Sequence, residues 1–239
     1  MKIEGRNSVR EALLSGIKVE KLLASKTSND KVFEELMGLA KSKNIKIQWV
    51  SGDVLNRESV TKKHQGVILF AEDYEYSNVN DILANKKAEG HFILILDGIV
   101  DPHNLGSIIR VADCMGVDGI VIGKNRCCGV NESVIKTSAG ATSYVKVAKA
   151  TNINDLIKSL KEQNIWVYAC ELGGVDVRKC DLKGDIAIVV GSEGNGVSAL
   201  TKKLCDGVIT LPMWGNVNSL NASVACGMIM YECTRQRRS

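Results

Sequence analysis

Three segments of the chain combine polar side chains with glycine in a way that could support binding or catalysis. They are Asp101–Arg110, Gly191–Gly196 and Leu211–Ala225. Each follows a run of apolar residues, as expected for a strand buried in a parallel sheet. Ligands bind at the carboxyl ends of the strands in open parallel sheets. The three segments are therefore the places where a site is expected.

The first segment has the pattern of a strand-to-helix turn. We predict that Asn104 or Ser107 caps the helix and that Arg110 lies within about its first turn. The start of a helix offers backbone N–H groups to an anion, and Arg110 adds a planar guanidinium that suits phosphate. A capped helix with an exposed arginine would explain the same residues. This segment alone does not separate binding from structure.

The second segment places three glycines within six residues, Gly191, Gly194 and Gly196. Glycine lets the backbone approach a ligand closely. The spacing G-x-x-G-x-G differs from the G-x-G-x-x-G of dinucleotide-binding turns. Glu193, inside the segment, would repel phosphate. It favours a cationic or hydroxyl-bearing ligand instead.

The third segment is a loop rich in asparagine and glycine that leads into the last helix. We predict that Ser219 caps this helix. Its first turns contain small residues such as Ala222, which would permit close packing. Met213 and Trp214 could contact a ligand, or they could simply pack against the protein.

The part of the chain from residue 91 to residue 239 predicts an α/β fold with a mainly parallel sheet. Strand-like apolar runs occur at Phe92–Leu96, Gly119–Ile122, Ile165–Ala169, Ile186–Val190 and Val208–Leu211. Helical segments fall between or after them at Ser107–Met115, Asn131–Ser138, Asn152–Gln163, Ser198–Leu204 and Leu220–Arg235. Strands that alternate with helices form a parallel sheet covered on both faces.

Residues 1–74 predict a second, smaller α/β domain. A capping box at Ser8–Glu11 opens a short helix that Gly16 ends. The remaining elements are a strand at Val19–Ala24, a helix at Asp30–Ser42, and strands at Ile45–Val50 and Gly66–Phe70. Residues 72–89 are polar and acidic. We predict that residues 75–90 form a linker with a short helix near Asn80–Asn85.

Composition limits the class of protein. The 239 residues are 45% hydrophobic, and no apolar run approaches the roughly 20 residues needed to span a bilayer. The start of the chain has no apolar segment typical of a secretory leader. Eight cysteines occur without a C-x-x-C pair, and the three histidines lack ligand spacing. We expect a cytoplasmic protein with reduced thiols, no metal and no membrane partner.

Basic charge is concentrated near the N-terminus. Residues 1–70 carry 13 Lys and Arg against 8 Asp and Glu, whereas the whole chain has a net charge of +4. A basic region suits a polyanion such as nucleic acid. Solvated, lysine-rich helices explain the same count, so the charge is compatible with RNA binding without requiring it.

Taken in order, the three segments resemble the signature motifs of the SpoU/TrmH branch of the SPOUT methyltransferases. They match the patterns Asp-Pro-x-Asn-x-Gly-x-x-x-Arg, Gly-x-Glu-Gly-x-Gly and Pro-Met-x-Gly…Ser-Leu-Asn-x-Ser-Val-Ala. This resemblance covers His91–Ser239. Residues 1–75, with Glu4–Val9 and His64–Val67, look like the ribosomal-protein-like substrate-binding domain of 23S rRNA guanosine 2′-O-methyltransferases.

The resemblance implies a fold, a reaction and a set of site residues. The fold is a SPOUT-type parallel sheet with a C-terminal trefoil knot, and the active unit is a homodimer. The reaction is 2′-O-methylation of a ribose, on guanosine in 23S rRNA, with S-adenosyl-L-methionine as methyl donor. The implied cofactor-binding residues are Gly191, Gly196, Leu211, Met213 and Leu220. The implied catalytic and substrate-contacting residues are Asn104, Arg110, Glu193, Ser219 and Asn221.

The chemistry needs alignment and the removal of one proton, and it needs no metal. Arg110 is the family's candidate for activating the ribose hydroxyl, yet a guanidinium stays protonated in proteins. Our hypothesis is that Arg110 binds the adjacent phosphate and stabilises the developing alkoxide. Whether it also acts as a base is left open, with His103 as an alternative base.

Other functions fit part of the same pattern. The nearest are a tRNA ribose 2′-O-methyltransferase and a resistance-type 23S rRNA methyltransferase. A non-catalytic RNA-binding protein would keep the fold without needing the five catalytic positions. A nicotinamide-dependent oxidoreductase would need a glycine fingerprint at the first turn of the sheet, which the sequence lacks.

Overall fold

The computed structural model describes residues 1–28, 30–84, 86–192, 194–216 and 219–238, and the chain in it divides into two units. The N-terminal unit contains Met1–Glu75 together with Val130–Ser143. The C-terminal unit contains Tyr76–Gly129 and Tyr144–Ser239.

The described strands are β1 (Lys2–Glu4), β2 (Val19–Ser25), β3 (Ile47–Val50), β4 (Val67–Ala71), β5 (Phe92–Leu96), β6 (Gly119–Gly123), β7 (Lys146–Ala150), β8 (Trp166–Asp176), β9 (Ile186–Val190) and β10 (Gly207–Thr210). The described α-helices are α1 (Arg6–Leu14), α2 (Lys31–Ser42), α3 (Gly52–Glu58), α4 (Val79–Leu83), α5 (Pro102–Met115), α6 (Glu132–Thr137), α7 (Ile153–Glu162), α8 (Ala199–Leu204) and α9 (Ala222–Arg237). Among the described residues, no helix is both long and apolar enough to cross a membrane.

The N-terminal unit is a four-stranded sheet in the order β1-β4-β2-β3. Strands β2 and β3 are parallel, and the other pairs are antiparallel. Side chains alternate across β2, so that Leu22 packs with residues of α1 and α2 while Leu23 packs with Leu55 of α3. Helix α6 belongs to this unit and contacts α1.

The C-terminal unit confirms the predicted parallel sheet. Its six strands lie in the order β10-β8-β9-β5-β6-β7, and every neighbouring pair is parallel. The three central strands β9, β5 and β6 are buried along their whole length. Their continuous apolar runs are the pattern of strands covered by helices on both faces. The carboxyl ends of these strands therefore share one edge of the sheet.

One strand of this sheet was not predicted. Strand β7 has Lys146 and Lys149 among its five residues, so its apolar run is interrupted. It lies at the edge of the sheet, where among the described residues its outer side meets no further named strand and forms an isolated bridge between Ala148 and Ser77. Charged side chains are tolerated at such an edge. In the N-terminal unit, β1 and α3 were also not predicted, because both are short and α3 buries only Leu55.

The predicted helix starts were wrong at three places. Helix α1 begins after Gly5, so Ser8 lies inside the helix and forms no capping box. Helix α5 is capped by Asp101, which accepts from the His103 N–H at 3.0 Å, rather than by Asn104 or Ser107. Pro102 takes the first helical position, where its missing N–H costs nothing.

The last helix begins later than predicted. Its N-cap is Asn221 rather than Ser219, and the Asn221 side chain accepts from the N–H groups of Ser223 at 3.0 Å and Val224 at 3.4 Å. Asparagine and serine are about equally good caps, so local preference could not decide between them. The correction leaves Ser219 in the preceding loop.

Candidate functional site

A cavity of about 290 Å³ lies beside the carboxyl ends of β9 and β10 and the start of α9. We call it the glycine cavity. Its lining includes all five residues predicted to bind a cofactor, namely Gly191, Gly196, Leu211, Met213 and Leu220. The loop after β9 (Gly191–Ser198, the β9 loop) and the loop after β10 (Leu211–Asn221, the β10 loop) supply these residues. The cavity is thus where the second and third sequence segments meet.

The β9 loop turns back on its own start. The Gly196 N–H donates to the Ser192 carbonyl at 2.9 Å. A Cβ atom at Gly191 would collide with the backbone of Gly196, and one at Gly196 would collide with the carboxylate of Glu171. Gly196 also has a φ of +61°, in the left-handed region that favours glycine. Both glycines are required by the close approach of neighbouring atoms.

Glu171 is a cavity residue that the sequence did not reveal. Its carboxylate accepts from the Val197 N–H at 2.8 Å, and its side chain is 21% exposed. The ammonium of Lys202 lies 4.0 Å away. Glu171 follows the apolar start of β8, and the sequence predicted that this strand ended at Ala169. Only the continued strand, paired with β9 and then β10, brings the carboxylate to the glycine loop.

Two predicted catalytic residues are in direct contact. The Asn221 side-chain N–H donates to the Asn104 side-chain oxygen at 2.9 Å. Asn104 is in the first turn of α5 and only 7% exposed, and Asn221 caps α9. The starts of both helices are therefore adjacent, and helix starts present backbone N–H donors and a partial positive charge. Ser219, a third predicted catalytic residue, lines the glycine cavity.

A second cavity of about 370 Å³, the polar cavity, adjoins the first. The two share Ser192 and Gly196 in their linings. Asn104 lines the polar cavity together with Asp97 and Arg126, whose guanidinium is 3.9 Å from the Asp97 carboxylate. Asp97 and Arg126 were not singled out from the sequence. Their positions in the sequence could have identified them, because they follow β5 and β6 at the carboxyl edge of the sheet.

Arg110 does not lie where it was predicted. It is the ninth residue of α5, in the third turn of the helix, because the helix starts at Pro102. Its side chain is exposed and lines neither cavity. Within the described parts of the chain it has no ion-pair partner. Glu193, the fifth predicted catalytic residue, lies outside the described residues. His103 is exposed in the first turn of α5.

Cysteine chemistry is disfavoured in the glycine cavity. Burial raises the pKa of the Cys170 thiol, which lines the cavity, to about 12. The thiolate is the nucleophilic form, so this side chain is unreactive near neutral pH. All eight cysteines are free. In the described parts of the chain, no group of three or more His, Cys, Asp or Glu side chains could hold a metal ion.

Comparisons with known families match both parts of the chain. The model of the SpoU rRNA Methylase family matches residues 91–231. A model described as RNA 2′-O ribose methyltransferase substrate binding matches residues 2–77. The two matches correspond to the two resemblances found in the sequence, and together they account for most of its length.

Full-length relatives and solved structures agree with these matches. The chain is 43% identical to YacO of Bacillus subtilis over 236 residues, covering 98% of this chain and 94% of the relative. It is 41% identical over 238 residues to a relative from Staphylococcus saprophyticus, covering 98% and 95%. Both relatives are described as TrmH family tRNA/rRNA methyltransferases.

Two solved structures share the fold over nearly the whole chain. AviRb from Streptomyces viridochromogenes, in complex with AdoMet, superimposes with a TM-score of 0.79 at 22% identity and covers 100% of this chain and 91% of its own. An AdoMet-bound rRNA methyltransferase from Sinorhizobium meliloti has a TM-score of 0.74 at 25% identity, covering 98% and 86%. With motifs, cavity and relatives in agreement, the chain belongs to the SpoU/TrmH family of RNA 2′-O-ribose methyltransferases.

Proposed function

We propose that this protein methylates the ribose 2′-hydroxyl of a guanosine in 23S rRNA, with S-adenosyl-L-methionine as the methyl donor. The observation that carries the proposal is the meeting of all three motif segments at two adjoining cavities, where Asn104 and Asn221 are hydrogen-bonded at 2.9 Å. The choice of 23S rRNA rests on residues 1–74, which we propose as the RNA-binding domain, with residues 75–90 as the linker and residues 91–239 as the catalytic domain.

The glycine cavity fits the methyl donor in size and chemistry. Its volume of about 290 Å³ is close to the lower bound of roughly 300 Å³ for small-molecule sites. Leu211, Met213 and Leu220 give it an apolar wall that suits an adenine ring, and the Glu171 carboxylate suits a positive charge. When bound, S-adenosylmethionine supplies a methyl group activated by its sulfonium. Gly191, Gly196 and the backbone of the β10 loop would hold it.

The polar cavity would hold the ribose to be methylated. The Asn104–Asn221 pair, at the starts of α5 and α9, would orient the 2′-hydroxyl, with Ser219 at the border of the glycine cavity. Fixed donors at helix starts stabilise an oxygen that gains negative charge, and they need no rearrangement to do so. Glu193 is proposed as a further contact. A proton must leave the hydroxyl, and the base that takes it is not assigned to Arg110.

Arg110 would act on a site that a second copy of the chain completes. Its guanidinium lies outside both cavities of its own chain, on a helix that packs against α9. Helix α9 and the residue before its cap expose an apolar stripe at helical spacing, Leu220, Val224, Met228 and Tyr231, with exposures of 38% to 60%. A stripe of this kind marks an interface with another protein surface. We propose a homodimer formed through α9, which brings the partner's Arg110 to the RNA phosphate.

The proposal also includes a knotted fold and a cellular compartment. A trefoil knot formed by the β9 loop, the β10 loop and α9 stays a prediction from the family resemblance. The cytoplasm is proposed as the place of action, because eight free cysteines suit a reducing compartment.

The function is tested by incubating the protein with tritiated S-adenosylmethionine and, separately, unmodified 23S rRNA, 16S rRNA and bulk tRNA. We expect label on 23S rRNA at one guanosine, in a linkage that resists alkaline cleavage. Label on tRNA alone would keep the reaction and replace the substrate, in line with the tRNA/rRNA description of the relatives. Failure to bind the methyl donor would contradict the enzymatic proposal.

A further inference from the structure

Trp214 is a large aromatic side chain that the protein leaves uncovered. It is 82% exposed, although it directly follows Met213, which lines the glycine cavity. The sequence left two interpretations open for this residue, packing against the protein or contact with a ligand. At this exposure, most of the ring surface is not packed against the described part of the chain. A tryptophan offers its large surface and its π face to a binding partner instead.

A guanidinium group held by an ion pair lies close to the Trp214 indole ring. The Arg178 guanidinium lies 5.6 Å from the centre of the Trp214 ring, within the range of a cation–π contact. Asp176 holds this guanidinium, with the Arg178 Nε at 3.0 Å and 3.1 Å from its two carboxylate oxygens. The hydrogen bonds from Arg178 lower the pKa of the Asp176 carboxyl to about 2, so the pair stays charged at neutral pH.

The position of the pair is set by the sheet rather than by a surface loop alone. Asp176 is the last residue of β8 and pairs with Thr210, the last residue of β10. Trp214 follows four residues after Thr210. Arg178 therefore sits at the end of one strand and Trp214 just past the end of its neighbour. An aromatic ring with an arginine on it is prearranged before any ligand arrives.

We propose that Trp214, backed by Arg178, is a stacking site for an unpaired RNA base next to the methylated ribose. The inference rests on the proposed function and adds a recognition element to it. Proteins that bind single-stranded RNA stack its bases on aromatic side chains and on guanidinium planes. A purine gains most from this contact because its ring surface is larger.

Steady-state kinetics test the stacking with a matched control. Trp214→Leu keeps an apolar side chain but removes the ring, and it is expected to raise KM for 23S rRNA about tenfold. The kcat and the affinity for S-adenosylhomocysteine should change little. Trp214→Phe should recover most of the loss, since it restores a ring. Trp166→Leu is the control, because Trp166 is 58% exposed at the start of β8, away from both cavities.

Fluorescence tests the contact without relying on methylation. The chain has three tryptophans, so Trp49→Phe with Trp166→Phe leaves Trp214 as the only one. A short single-stranded oligoadenylate should quench its emission as binding saturates, whereas free AMP at the same base concentration should quench it much less. RNA binding detected on a filter without quenching would overturn the proposal.

The remaining outcomes separate this inference from its alternatives. If Trp214→Leu weakens S-adenosylhomocysteine as much as RNA, the ring contacts the methyl donor and the inference is wrong. If the substitution instead causes the dimer to dissociate, so that light scattering gives a lower average mass, the ring belongs to a subunit interface. If wild-type protein methylates RNA and Trp214→Leu has the same KM for it, the stacking site is wrong and the proposed function stands. A wild-type protein that binds no RNA would contradict the proposed function as well.

Discussion

The β9 loop and the β10 loop line the same cavity, yet they are built differently. In the β9 loop, Gly191 and Gly196 sit where neighbouring backbone and the Glu171 carboxylate leave no room for a Cβ atom. In the β10 loop, a Cβ at Gly215 would meet nothing within 4 Å, and Trp214 is 82% exposed. A crowded loop can fix the shape of a site for an invariant small molecule. An open loop leaves surface for a larger partner.

This difference suggests a division of labour within the proposed enzyme. The β9 loop would hold the methyl donor through its backbone. The β10 loop would contribute one side to that site and offer Trp214 to RNA. Substitutions in the two loops should therefore affect different ligands, and the following predictions test that separation from the largest expected effect to the smallest.

Arg110→Ala should lower kcat by about 100-fold or more, because it removes a charge proposed to stabilise the transition state. The affinity for S-adenosylhomocysteine should be unchanged, since Arg110 lines neither cavity of its own chain. Single-turnover rates and calorimetry measure the two quantities. An equal loss of kcat and of S-adenosylhomocysteine affinity would place Arg110 at the methyl-donor site instead.

A mixing experiment shows whether Arg110 acts across the dimer. Arg110→Ala and Gly191→Ala chains are unfolded, combined and refolded together, and they are assayed at a methyl-donor concentration near the wild-type Kd, where each variant alone has little activity. If one chain supplies the glycine cavity and the other supplies Arg110, the mixture should regain about a quarter of wild-type activity, because half the dimers contain one intact site. No recovery, with mixed dimers verified by mass, would mean that each site uses its own Arg110.

Gly191→Ala should weaken S-adenosylhomocysteine binding by about 30-fold. The added Cβ would overlap the backbone of Gly196, and relief of such overpacking costs roughly 1–3 kcal/mol. Gly215→Ala is the matched control in the β10 loop, where space is open, and it should bind normally. Calorimetric titration checks both variants. Equal losses would show that the crowding of the β9 loop is not what shapes the site.

Glu171→Ala should weaken S-adenosylhomocysteine by about tenfold, since it leaves the Val197 N–H without its charged acceptor. Glu171→Gln keeps an acceptor oxygen and should lose less. The contrast between the two variants separates the hydrogen bond from the charge. If Gln is as damaging as Ala for S-adenosylmethionine, whose sulfonium charge S-adenosylhomocysteine lacks, the carboxylate charge itself matters.

Glu4 lies in the N-terminal unit, outside both loops. Its substitution is expected to have the smallest effect, and that effect is on folding stability. Burial alone would raise its pKa, but hydrogen bonds from Thr61, Ser59 and the Val60 N–H outweigh burial and lower the pKa below 4.5. A lowered folded-state pKa contributes stability above the unfolded value of 4.5. That contribution is lost as the pH falls through the folded value.

Urea unfolding at neutral and acidic pH measures this contribution. Wild-type protein should lose stability on acidification, and Glu4→Gln should show a shallower pH dependence with less stability at neutral pH. Methyl-donor binding in Glu4→Gln should match wild type, because Glu4 belongs to the other unit. An unchanged pH dependence would mean that Glu4 is not the group responsible.

Much of the fold was predictable because its signals are local. The runs at β5, β6 and β9 consist of consecutive apolar residues, which a strand buried on both faces requires. Glycines and asparagines that follow such runs mark the carboxyl edge of the sheet, so the positions of all three motif segments followed from sequence. Edge strand β7 was not predicted, because its lysines interrupt the run of apolar residues on which the other predictions relied.

The sequence by itself determined which strands are buried, which segments follow them, and which family they resemble. Only the tertiary structure decided which of several good caps begins α5 and α9. It thereby decided that Arg110 lies in the third turn of α5, outside the lining of both cavities, and that Asn221 contacts Asn104. It also decided that Glu171 reaches the β9 loop and that Trp214 stays uncovered. These outcomes depend on contacts between residues far apart in the chain, and no local pattern encodes them.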